Sequence, residues 1–366
     1  MQCVAPTCNG DPVTTFEEVG RLRLVAQLLA GARPAGAGEV VRRLTAVQAQ
    51  DFPGTVTSVA LRTAERGRAE VLAALDDGSV VRSWPMRGTL HLVAAEDLLW
   101  LLELLGDRVR TTFAGRRADL GLRDADAERA RDVVTEALRG GGRMRRAELL
   151  AAIAAGGVAT TGQRGYHLLA FLATTGTLCL GPTDGAGEQL FVLVDEWIPD
   201  RRGLAGEEAL GELAQRYFTG HGPATVQDLA RWAGLPLRAA RTGLAIARER
   251  LVAVDVDGVE HLMHPTTPER LAVCRHEAAG LFLLPGFDEF VLGYGDRRAV
   301  LDPEFAEQIV PGGNGMFRPT VVHGGRIIGT WRWTGRGANR TATAEPFTDL
   351  PDEVAAAFPL AAAALP

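Results

Sequence analysis

Two glutamines flank one small residue in the stretch Thr45-Ala46-Val47-Gln48-Ala49-Gln50-Asp51-Phe52-Pro53-Gly54. A side-chain amide offers two donors and a carbonyl acceptor, and it does not titrate. Such a pair can hold a water molecule, or set a carbonyl dipole beside a developing cation. It cannot act as a strong base. In extended chain Gln48 and Gln50 share a side, whereas on a continuing helix they diverge. Residues 38–44 have helical spacing, and Pro53-Gly54 predicts that the helix stops in this stretch. A terminus or turn there would aim both amides at one point. The same residue types equally suit a polar helix end with no chemical role.

Composition limits the other chemistry available. All 39 basic residues are arginine, so a Schiff base or a P-loop lysine is excluded. Cys3, Cys8, Cys179 and Cys274 are scattered, form no disulfide framework and suit a reducing cytoplasm. Cys3 and Cys8 lack a second pair or a histidine partner, and His261 and His264 lack further ligands. No metal and no cofactor are therefore expected. No apolar run approaches a membrane span, and no basic-then-apolar start marks a signal peptide. A soluble bacterial cytoplasmic protein is expected. The absence of lysine, with abundant Ala, Gly and Val, points to a GC-rich genome such as that of an actinobacterium.

The net charge of −6 argues against binding nucleic acid through bulk charge alone. The arginines are nevertheless clustered. Arg108, Arg110, Arg116, Arg117 and Arg123 form one group, and Arg139, Arg143, Arg145 and Arg146 another, with acidic residues interleaved. Either a solvated surface or a phosphate-facing concavity would carry such groups.

The elements that must position the glutamines follow a repeated order. Residues 14–31 read as a capped helix, and a second helix leads into the glutamine stretch. Residues 55–63 continue a helix or begin a strand, and 69–75 form a short helix. Two β-like runs follow, 79–84 and 88–93, with a bend through 85–88. Helices and then a two-stranded ribbon is the winged-helix order. It recurs as helices over 125–138, 145–155 and 166–174 with strands over 177–180 and 189–194. It recurs again as helices over 207–218, 225–232 and 236–248 with a hairpin through Asp257-Gly258. From residue 281 the chain is aromatic and strand-like, with a second hairpin about Gly324-Gly325, and residues 351–366 suit a final helix. The reading is α+β and mainly α, with three tandem winged-helix units and a small C-terminal β-rich domain. The expected boundaries are 14–95, 96–200, 201–278 and 279–366.

Four segments together resemble the AlkZ-like DNA glycosylases, a family of tandem winged-helix proteins. They are Gln48-Ala49-Gln50, then Trp84-Pro85-Met86-Arg87-Gly88-Thr89-Leu90-His91. The third and most specific is Leu284-Pro285-Gly286-Phe287-Asp288-Glu289-Phe290-Val291-Leu292-Gly293-Tyr294-Gly295-Asp296-Arg297. The fourth is Gly315-Met316-Phe317-Arg318-Pro319-Thr320, continuing to Gly329-Thr330-Trp331. The resemblance implies a monofunctional glycosylase that excises alkylated purines from double-stranded DNA, including N7-guanine adducts, bulky natural-product adducts and interstrand crosslinks. It implies catalysis by Gln48 and Gln50, and the glutamine form of the motif resembles the branch tied to self-resistance against a genotoxic antibiotic. Asp51 stands one place beyond the family's alternative carboxylate and is expected to support or cap.

On this reading the enzyme works as a monomer at the nucleoid. Arg87, Thr89 and His91 alternate on the first ribbon and point either at DNA or at the core. Arg164 and Arg241, on third helices, and His261 and His264, at the end of the third hairpin, are further DNA-contact candidates. Asp288, Asp296 and Arg297 are expected in a structural ion-pair network. The alternative function is a non-catalytic winged-helix regulator, and a third is a protein that sequesters a toxin.

Overall fold

The computed structural model describes residues 14–335 and 340–366, so Cys3, Cys8 and the N-terminal stretch before residue 14 lie outside the described residues. Helix Phe16–Ala26 opens the chain, with the Thr15 hydroxyl accepting from Glu18 N–H at 3.2 Å. Helix Ala37–Leu44 ends at Thr45, whose φ of +67° turns the chain out of the helical path. Strand β1 (Val47–Gln48) follows, then helices Phe52–Ala60 and Arg68–Asp76, then β2 (Val80–Met86) and β3 (Thr89–Ala94). Pro53 thus starts a helix rather than stopping one. It occupies the first turn, where the missing N–H has no partner to lose.

β1 pairs antiparallel with β3, placing Gln48 opposite His91. The same arrangement appears twice more. Helix Asp124–Leu138 leads to a bridge from Met144 to Phe191, then helices Arg146–Ala155 and Arg164–Thr174, then β4 (Leu178–Thr183) and β5 (Gln189–Leu193). Helix Gly206–His221 leads to a bridge from Ala224 to Leu262, then helices Val226–Ala233 and Leu237–Ala247, then β6 (Val252–Val256) and β7 (Val259–Met263). In each case the short extended segment pairs with the second strand of the hairpin. Asp257 and Gly258 both have positive φ, as the tight turn between β6 and β7 requires.

The first two recurrences share one sheet of order β1-β3-β2-β4-β5, joined where Arg82 faces Leu180. Strand residues alternate between its faces. Val80, Leu92, Leu178, Leu180 and Phe191 enter one core, while Val81, Val93, Cys179 and Val192 enter the other, alongside Trp100, Tyr217 and Trp232. Burial on both faces explains why these strands read as nearly continuous apolar runs.

Two long helices are absent from the sequence reading. The 22-residue helix Leu98–Asp119 begins as an apolar run buried on most sides and ends in exposed arginines, so it shows no amphipathic stripe. Helix Thr266–Ala278 precedes the C-terminal part. There β8 (Leu281–Leu284), β9 (Thr320–His323), β10 (Arg326–Thr334) and β11 (Thr341–Pro346) form a sheet of order β11-β10-β9-β8, packed by helix Asp352–Ala363. The strand-like run from residue 281 stops at Leu284. Asp288 then caps the short helix Glu289–Leu292. Leu22, Val25 and Leu29 near the N-terminus share a core with Phe290, Val300, Val322 and Ile327. Helix Phe16–Ala26 and the C-terminal part therefore share one core.

Candidate active site

Every backbone group of the Gln48-Ala49-Gln50 tripeptide for which a partner is described points inward. Gln48 N–H donates to Glu289 Oε1 at 3.0 Å, and Thr55 Oγ donates to the Gln48 carbonyl at 3.0 Å. Ala49 N–H donates to the Leu90 carbonyl at 2.7 Å, and Arg82 Nε donates to the Ala49 carbonyl at 2.9 Å. Gln50 N–H donates to Gln48 Oε1 at 3.1 Å, and Leu90 N–H donates to Gln50 Oε1 at 3.4 Å. A backbone N–H can only donate, so these two bonds identify the bonded atom of each amide as its oxygen. Gln48 is buried at 7 % exposure, whereas Gln50 is exposed. Gln48 ends strand β1 and Gln50 stands in the bend after it, and the Gln50 N–H to Gln48 Oε1 bond ties the two residues together. Asp51 sits at the N-cap position of the next helix, but its side chain makes no cap bond.

Beneath the tripeptide lies Glu289, fully buried and 241 residues away in sequence. Its Oε2 accepts from Trp232 Nε1 at 3.0 Å and lies 3.4 Å from His221 Nε2. Burial alone would raise its carboxyl pKa. The hydrogen bond and charge of His221, the Arg87 guanidinium and the Gln48 N–H outweigh burial and hold it down to about 2. Gln48's strand partner, His91, is also fully buried. Its Nδ1 lies 2.9 Å from the Thr89 carbonyl and its Nε2 3.0 Å from Arg87 Nη2. A carbonyl only accepts and a guanidinium only donates, so Nδ1 carries the proton and Nε2 accepts. Burial first, and then the Arg87 charge, push the imidazole down to about 3. Arg87 itself stands in the β2–β3 turn at φ +54°.

Two recesses border this arrangement. One of about 290 Å³, between the first two recurrences, is lined by Gln50, Arg82, Trp84, Leu90, Tyr166 and Phe191. Arg82 has neutral partners, the Ala49 carbonyl and Gln189 Oε1 at 2.7 Å, and burial lowers its pKa to about 10. The other recess, about 240 Å³, is lined by Arg87, Arg108 and Gly234 among others. Arg231, Arg238 and Arg241 are exposed and make no ion pair among the described residues.

Of the candidate DNA-contact residues, Arg241 is exposed, while Arg87 is half-buried, donates to His91 Nε2 and lines a recess, and burial lowers its pKa. Thr89 is half-buried with its carbonyl committed to His91. For His91 the inward alternative holds. Arg164 donates to the Leu120 carbonyl and, at 2.9 Å, to that of Ala159. His261 is buried and bonds the Val259 carbonyl at 3.0 Å, and His264 Nδ1 accepts from Thr266 N–H at 3.3 Å. Arg164, at the start of its helix, His261, within β7, and His264, just after β7, thus bind their own chain. Asp288 makes a buried bidentate pair with Arg62. Asp296 instead pairs with Arg298, and Arg297 donates to the Val291 carbonyl. Sequence reasoning gave no site role to Glu289, Arg82, Trp232 or His221. A usable signal was present for Glu289: two adjacent carboxylates inside an apolar run imply buried, partnered charge.

A family model described as "DNA glycosylase AlkZ-like" matches residues 41–366. An interstrand DNA cross-link repair glycosylase of Streptomyces sahachiroi is 28 % identical over 330 residues, covering 87 % of each chain. The solved structure of S. sahachiroi DNA glycosylase AlkZ superposes with a TM-score of 0.75 at 27 % identity, covering 96 % of this chain and 98 % of that one.

Proposed function

The chain belongs to the AlkZ-like DNA glycosylase family, and on that footing we propose that it is a monofunctional enzyme hydrolysing the N-glycosidic bond of alkylated purines in duplex DNA. The observation that carries the reading is the clamped tripeptide, whose two amide oxygens are held by backbone N–H groups and whose Gln50 lines a recess. Alkylation at N7 makes the base cationic, so it departs as a neutral molecule with the bonding pair on N9. The sugar is left oxocarbenium-like, and little acid catalysis is required. Each glutamine Nε2 can donate to a water oxygen, and each carbonyl keeps a second lone pair for a water proton. Water held this way adds to C1′ and releases its proton to solvent. Neutral amides give little rate on undamaged bases, which keep a poor leaving group.

The three recurrences are read as winged-helix units over 14–95, 96–200 and 201–278, with a C-terminal domain over 279–366. Arg82, Arg87, Arg108, Arg231 and Arg241 are assigned to phosphates, because their charges are not matched by contacting carboxylates. The substrates proposed are N7-guanine adducts, bulky natural-product adducts and interstrand crosslinks, with a role in self-resistance to a genotoxic antibiotic. The enzyme acts as a monomer in the cytoplasm, at the nucleoid.

The test uses duplex DNA carrying either 7-methylguanine or a bulky N7 adduct, with mass detection of the freed base and alkaline cleavage of the abasic strand. Release by the wild type and loss in the Gln48→Ala/Gln50→Ala double variant, with duplex binding retained, are expected. Binding without release would favour the regulator. No borohydride-trapped adduct through a side-chain amine is expected, since the chain has no lysine.

A further inference from the structure

Two neutral amides leave one electrostatic need of the reaction unmet. Positive charge develops on the sugar, and a fixed negative charge nearby would stabilise it. The glutamine motif contains none. Glu289 carries such a charge directly behind the motif, bonded to Gln48 N–H at 3.0 Å. Burying a carboxylate costs several kcal/mol, and a glutamine at this position would also offer an oxygen to the same N–H. The chain nevertheless keeps the acid there.

The neighbouring Asp288 does not serve the same purpose. Its two oxygens meet Arg62 at 2.8 Å each, so that charge is matched within the core. Glu289 has no guanidinium in hydrogen-bond contact. Its bonds come from a peptide N–H, an indole N–H and the imidazole of His221. Arg87 acts on it only through space and lines a recess shared with Arg108. A DNA phosphate bound in that recess would take up the Arg87 charge. Glu289 would then keep His221, 3.4 Å from its Oε2, as its contacting titratable partner, and would remain the carboxylate beneath Gln48 when the glycosidic bond breaks.

We propose that Glu289 is a positioning residue of the reaction: it fixes the Gln48 backbone through one oxygen and sets a negative charge behind the amides, under the reacting sugar. This rests on the glycosylase reading above. The residue touches no substrate and acts through Gln48 and through its field.

The test is single-turnover excision of 7-methylguanine from duplex DNA, with DNA affinity, active fraction and melting temperature measured on the same samples. Glu289→Gln keeps the size and an acceptor for Gln48 N–H while removing the charge. Its rate constant per folded, DNA-bound molecule is expected to fall about 10–100-fold, with affinity changed less than about twofold. Trp232→Phe removes the donor to Oε2 but leaves the charge, and is expected to keep its rate within about threefold. A Glu289→Gln protein that is less stable yet excises at the wild-type rate overturns the proposal. So does an equal loss of rate in Trp232→Phe; if Glu289→Gln does not fold, a loss of about tenfold or more in Trp232→Phe overturns the proposal and a rate within about threefold supports it. Failure of the wild type to release base would instead strike the glycosylase reading.

Discussion

Acid should separate the stability of this protein from its chemistry. His91 titrates near its ordinary value of 6.5 when unfolded but only at about 3 when folded. Between those values the unfolded chain binds the extra proton, so stability falls as pH falls through that window. From pH 8 to pH 5 the loss from His91 alone is about 2 kcal/mol, and by pH 4 about 3 kcal/mol. Glu289 is depressed from 4.5 to about 2, so its contribution is complete above 4.5 and declines below. It removes roughly another 1 kcal/mol by pH 4. His167, His261 and His264 are also lowered and act in the same direction as His91.

The reacting groups, by contrast, do not change charge over most of this range. At pH 5 folded His91 is only about 1 % protonated and Glu289 remains ionised. The amides never titrate. Single-turnover excision per folded molecule should show no step belonging to the amides, His91 or Glu289 between pH 5.5 and 8. Urea unfolding of the wild type and of His91→Gln at pH 8 and pH 5 isolates the histidine, since the other groups cancel in the difference. The variant should lose about 2 kcal/mol less than the wild type on acidification. Equal losses in the two proteins would refute the buried, neutral assignment of His91. A wild-type rate that titrates near 6.5 and loses that step in His91→Gln would refute it as well.

Arg62→Met removes the guanidinium from a fully buried pair and leaves Asp288 without its counter-charge; a loss of about 3–5 kcal/mol is expected in chemical denaturation. Arg241→Ala should weaken duplex binding by a similar factor on every sequence and reduce the slope of log affinity against log salt by about one. Arg164→Ala should leave that slope unchanged and lower the melting temperature, because its donors hold the Leu120 and Ala159 carbonyls. Gly20→Ala would place a methyl group 2.2 Å from the Gly325 carbonyl oxygen, where the first helix meets the β9–β10 turn; a loss of about 1–3 kcal/mol is expected from thermal unfolding.

The helix-and-ribbon order was legible because each recurrence carries strong local signals. Thr225 caps its helix, Pro236 precedes the next, and Asp257-Gly258 makes the turn. What joins the recurrences was not legible. The pairing of β2 with β4 aligns two strands a hundred residues apart through one register position. A strand buried on both faces by neighbouring units has no alternation to display which edge it will join. The helix Leu98–Asp119 escaped for a related reason, since apolar residues all round its first half look like any buried run.

The candidate site divides along the same physical line. Gln48 and Gln50 are singled out by the resemblance of their motif to the family's, since spacing alone equally suits a polar helix end. What orients them could not be singled out, because every orienting partner is distant in sequence. Leu90 fixes the Gln50 oxygen, Arg82 the Ala49 carbonyl and Glu289 the Gln48 N–H. Spacing constrains side chains on one element, whereas a hydrogen bond between elements depends on where whole layers come to rest. The acid pair Asp288-Glu289 announced that buried charge would need partners, but not that one carboxylate would find arginine and the other a peptide N–H. That division makes one carboxylate part of the scaffold and leaves the other available to the reaction. It was settled by tertiary packing: Ser58 and Arg62 come to Asp288, and Trp232 comes to Glu289.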